Sequence, residues 1–102
     1  MIFEGRVING VLEVSVDGKP LSTHREVIAS QFSLNWLPAP QSQLAVAILT
    51  EVLSKNGTIS DINIELVYTW WIPFKKQFLD KYCKSDSWSI TDRQIRDWLP
   101  NI

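Results

Sequence analysis

The tightest constraint in the chain is the pair Asn9-Gly10, set between two runs of strand-forming residues. A two-residue hairpin turn of type I′ needs positive φ at both central positions, and Asn followed by Gly adopts it most readily. With the turn at 9–10, the pairing of the flanking residues has no freedom left. Phe3 falls opposite Val16, Gly5 opposite Val14 and Val7 opposite Leu12, all on one face. On the other face Arg6 meets Glu13, Glu4 meets Ser15 and Ile8 meets Val11. The first face is apolar and the second carries a cross-strand pair of opposite charges, so residues 2–16 read as a β-hairpin.

The rest of the chain is read from that anchor. Asp17-Gly18-Lys19-Pro20 is a turn that ends the strand. The aromatic and branched content of Phe32-Ser33-Leu34-Asn35-Trp36 suggests a third strand near 31–36, paired with the hairpin. Pro38-Ala39-Pro40 then resets the chain. Over 41–55, Leu44, Ala47, Ile48, Val52 and Leu53 recur at helical spacing, and Ala45, Val46 and Leu49 broaden the stripe. That pattern predicts a central, largely buried helix, closed by a left-handed cap at Asn56-Gly57.

A second helix is predicted from Ser60 to Tyr82, with Ser60 or Asp61 as N-cap and a stripe of Ile64, Val67, Trp71, Phe74, Phe78 and Tyr82. Pro73 lies inside it and predicts a kink, because the apolar stripe keeps its phase across the proline. Thr91-Asp92-Arg93-Gln94 has the form of a capping box, flanked by Ile90 and Ile95 as a hydrophobic staple. Ile95, Trp98 and Leu99 then face inward until Pro100 stops a short final helix. The expected architecture is α+β over 1–102 as one domain, with the hairpin and a third antiparallel strand packed on two longer helices and a short one.

Composition enters where it narrows function. Ten Lys+Arg against eleven Asp+Glu give a net charge of −1, without the basic excess of a general nucleic-acid binder or the acidic excess of a DNA mimic. The single cysteine, Cys83, allows no intrachain disulfide and no cysteine-based zinc site, which fits a reducing compartment. The N-terminal residues lack a signal-peptide pattern, and the longest apolar run, Leu44 to Leu49, is too short to span a bilayer. The expectation is a cytoplasmic protein of a bacterial host cell, away from the membrane.

The order of these motifs resembles a family of small proteins from phages, plasmids and integrative elements, known only as a domain of unknown function. Its members show a hairpin ending in Val-Asp-Gly, as Val16-Asp17-Gly18 does here, and a Phe-x-Trp-type strand to which 32–36 is similar but longer. An Ala-Gln-Leu-Ala-Leu-Ala-Ile-Leu-like helix follows, matched by Ser42-Gln43-Leu44-Ala45-Val46-Ala47-Ile48-Leu49. A closing Trp-x-Leu-Thr-x-x-x-Ile-x-x-Trp-Leu-like segment is matched by Trp88-Ser89-Ile90-Thr91 with Ile95, Trp98 and Leu99. Two departures stand out. Leu37-Pro38-Ala39-Pro40 replaces a glycine-rich link, and Pro73 interrupts a helix that usually lacks it. The resemblance implies a mobile-element setting and brings no activity with it.

No catalytic constellation is legible. The single histidine, His24, and Cys83 are far apart in sequence, and Asp92 and Asp97 stand five apart on the last helix, pointing in different directions. No cofactor or metal motif is present. What remains is an aromatic and basic helix, on which Trp70, Trp71, Lys75, Lys76 and Tyr82 are the candidate partner-binding residues, with Lys81 and Lys84 nearby. Adjacent helical residues differ by about 100° in direction, so Trp70 and Trp71 cannot share one narrow contact. Trp70 is placed at the edge of the core. The chain reads as a non-enzymatic accessory protein that binds a host or phage macromolecule, with a counter-defence inhibitor as the specific form and a monomer or homodimer as its state. The alternative is a module for small ligands or single-stranded nucleic acid using the same helix face.

Overall fold

Asn9 and Gly10 have φ of 52° and 79° and close a hairpin between β1 (Ile2–Ile8) and β2 (Val11–Val16). The register is the expected one, from Phe3 opposite Val16 to Ile8 opposite Val11. The computed structural model describes residues 1–21, 38–55, 58–82 and 87–99. The third strand expected at 31–36 and the helix cap expected at Asn56-Gly57 lie outside these residues.

Asp17-Gly18 does more than end β2. Its φ values of 51° and 81° repeat the turn chemistry of Asn9-Gly10, and the chain reverses into β3 (Lys19–Pro20), with Ser15 opposite Pro20 and Val16 opposite Lys19. On the other side of β1 lies β4 (Ser87–Thr91), an antiparallel strand that places Phe3 opposite Ile90 and Gly5 opposite Trp88. The described sheet is four-stranded, in the order β3-β2-β1-β4. The fold is α+β, as expected.

One face of the sheet is the floor of the core, where Phe3, Val14, Trp88 and Ile90 are buried. Gly5 belongs there because the Trp88 indole lies across it. A Cβ on Gly5 would run into Trp88 Cε2, so any larger residue displaces the ring. Above the floor sits α1 (Pro38–Leu53), buried without interruption from Gln43 to Leu49. A helix apolar on every side belongs in the middle of a fold. Its C-terminal carbonyls, which have no partner within the helix, are met by side chains from two other elements. Asn63 Nδ2 donates to Leu53 O (3.1 Å) and an Arg96 guanidinium nitrogen donates to Val52 O (2.6 Å).

The second helix, α2 (Asp61–Phe74), starts where expected, with Ser60 Oγ accepting from the Asn63 amide. The helical path does not break at Pro73. It continues into a π-helical segment, Lys75–Leu79, and a 3-10 turn, Asp80–Tyr82. The wider i→i+5 turn brings Phe74 and Leu79 onto the same side, and both are fully buried. In a regular α-helix residues five apart diverge by about 140°, so this widening is what adds Leu79 to the core. The last helix, α3 (Asp92–Trp98), begins with the expected capping box: Thr91 Oγ1 accepts from the Gln94 amide and Gln94 Oε1 from the Thr91 amide.

Candidate functional site

α2 has two kinds of surface. Toward the core it presents Val67 and Phe74, with Phe78 and Leu79 following on the π segment. Trp70 and Trp71 occupy the flanks of that inward stripe, and both are half-buried against the core. Trp70 meets Trp98 of α3 edge-on, with ring centroids 6.0 Å apart and planes at 85°. Trp98 in turn touches Phe78 (5.5 Å, 88°) and Phe74 (6.1 Å, 57°). Edge-to-face contacts of this kind each add about 0.5–1.5 kcal/mol beyond area burial. Trp70 is thus a core-edge residue that fastens α3 to α2.

The outward surface is different. Ile62, Tyr68 and Ile72 are 69%, 42% and 48% exposed. Tyr68, Ile72 and Lys76 follow one another at i, i+4 and i+8, a spacing that keeps them along one side of a helix. Lys76 is exposed and Lys75 is half-buried beside it. Lys81 holds its ammonium 5.6 Å from the Phe78 ring centroid. Tyr82 lies in the 3-10 turn.

Of the sequence-predicted residues, the structure keeps Lys75 and Lys76 on or beside this outward strip. It draws Trp70 and Trp71 toward the core. Tyr68 and Ile72 were missed, because they fall off the inward apolar stripe. That same fact was the available signal: two apolar residues four apart and out of phase with the core stripe have no place inside.

A concavity of about 830 Å³ runs along the sheet, lined by Glu4, Arg6, Glu13, Ser15, Ser87 and Ser89 among others. The register sets Arg6 between Glu13 on β2 and Ser87 on β4. Among the described lining residues there is no histidine, cysteine or lysine to activate a serine. His24 and Cys83 lie outside the described residues. No group of three or more metal-ligating side chains occurs among those described.

Asp92 is the start of α3 and a small electrostatic hub. Its Oδ1 lies 3.2 Å from the N-terminal ammonium and its Oδ2 lies 3.8 Å from Arg96 Nε. Partial burial disfavours its charge, but the ammonium's hydrogen bond and charge, the Arg93 amide and the Arg96 charge outweigh it and hold the carboxyl below its usual range. These contacts tie β1 to α3 and explain the residue structurally. Among the described residues no helix is long and apolar enough to cross a membrane.

Compared with protein-family models, curated proteins and solved structures, the chain finds no match.

Proposed function

We propose that the protein works by docking on another macromolecule through the outward face of α2, with Tyr68 and Ile72 as apolar anchors and Lys75 and Lys76 as flanking charges. The observation that carries this reading is the exposure of Ile62, Tyr68 and Ile72 on one helix while the aromatic residues of the same helix pack inward. Apolar anchors beside cations suit a protein surface that presents an apolar patch next to carboxylates. A protein partner fits better than a nucleic acid, since the whole chain carries a net charge of −1 and phosphate binding rests on cationic excess. The resemblance to phage and mobile-element proteins supplies the setting, and within it the specific reading is a counter-defence inhibitor that occupies a host immune complex.

The test is the plating of a targeted phage on bacteria whose nuclease-based defence is active. Expression of the wild-type chain raises plaque counts by at least about tenfold, the equivalent of about 1.4 kcal/mol at a binding step. The Tyr68→Ser/Ile72→Ser/Lys76→Glu variant does not. No rise across a panel of such defences contradicts the inhibitor reading. The nucleic-acid alternative is separated by titrating single-stranded oligonucleotides while following tryptophan fluorescence. A change that weakens steeply with salt favours that alternative.

A further inference from the structure

In an antiparallel ladder, successive residues bond alternately to the neighbour on one side and to the neighbour on the other. The Asp17 amide donates to Ile2 O (2.9 Å) and the Asp92 amide donates to Met1 O (3.0 Å). These contacts set the phase. Glu4, Arg6 and Ile8 bond to β2, while Phe3 and Gly5 bond to Ile90 and Trp88. Ser87, Ser89 and Thr91 therefore turn their backbone groups away from β1. Thr91 is provided for, because its N–H donates to Gln94 Oε1 at 2.9 Å and an N-cap carbonyl accepts the first bond of its helix. Ser87 and Ser89 keep their N–H and C=O groups on the outer edge, and no described residue meets them.

The opposite edge of the sheet ends in the two-residue strand β3, which carries Lys19 and Pro20. There β3 covers Ser15 and Val16, and the Leu21 amide donates to Val14 O (2.9 Å). Edge strands normally protect themselves with charge, proline or a bulge. β4 has none of these: its sequence is Ser-Trp-Ser-Ile-Thr and its register against β1 is unbroken. We infer that this edge pairs with β4 of a second copy, antiparallel, about a two-fold axis through Trp88. Ser87 then faces Ser89 of the second copy, and Ser89 faces Ser87, so every free N–H and C=O of the two serines is used. An isologous contact requires such self-complementarity. The uncharged strand brings no like charges together. An unrelated peptide could use the same backbone groups, but nothing on β4 selects one.

Sedimentation across a wide concentration range gives a species of twice the 11.7 kDa of one chain. Ser89→Pro removes a donor that points away from β1, a position where an edge strand tolerates proline. The symmetric dimer loses two hydrogen bonds, which raises its dissociation constant at least about tenfold. A folded Ser89→Pro variant that dimerises as well as the wild type overturns the inference. Amide exchange on the wild type tests it without any variant. The Ser87 and Ser89 amides slow as concentration rises. A chain that stays monomeric, amides that stay fast in the dimer, or protection independent of concentration (another part of the same chain on the edge) each contradict it.

Discussion

The inward and outward sides of α2 are built from similar residues and treated in opposite ways. Inward, Phe74 and Phe78 are buried and Trp70 and Trp71 complete the rim, each aromatic resting on the core or on Trp98. Outward, Tyr68 and Ile72 leave 42% and 48% of their surface open to water. Single exposed apolar residues are ordinary, but two at helical spacing beside cations form a surface with a direction. The contrast shows that tryptophan content, the most conspicuous feature of this composition, reports mainly on how a small fold is held together. The proposed docking surface lies with less conspicuous neighbours.

If the inward side is structural, its substitutions must be costly. Phe74→Ala removes a fully buried side chain at the meeting of α2 and α3 and should lower stability by about 3–5 kcal/mol, read by denaturant unfolding. A loss under about 1 kcal/mol would mean the aromatic cluster is not a unit. Next comes the floor of the same core. Gly5→Ala forces the Trp88 indole off its strand and should cost about 1–3 kcal/mol. A wild-type melting curve for this variant would show that β4 is not seated as described.

A smaller effect concerns the clamp between β1 and α3. The carboxyl of Asp92 is held below its ordinary value, so it contributes stability above the unfolded-state value of about 3.9 that is lost as pH falls through the folded one. Asp92→Asn should flatten the acid limb of the stability profile and leave its shape near neutrality unchanged. An identical acid limb in both proteins would break the link between this charge and the docking of α3.

Local chemistry made part of this arrangement readable in advance. Asn9-Gly10 specified every pair of the hairpin, Ser60 marked the start of α2, and Thr91 with Gln94 marked the start of α3. These features depend on residues within a few positions of one another. β4 was not anticipated, although Trp88 and Ile90 alternate with serines, because its partner lies more than eighty residues away in β1. The second turn at Asp17-Gly18 was read as an ending, since the strand it leads into has only two residues. Leu79 escaped the helical stripe because the π segment changes the period on which such a stripe is counted. The candidate site was legible as an element and not as a face. The sequence pointed to this helix, while the choice between Trp70 and Tyr68 depended on where α3 packs.

The smallest expected effect is also the most direct test of the contrast between the two sides of α2. Tyr68→Ser/Ile72→Ser should leave the thermal midpoint within about 3 °C of the wild type, as expected for surface positions. A fall comparable to that of Phe74→Ala, more than about 12 °C for a chain of this size, would place Tyr68 and Ile72 in the core and remove the docking face.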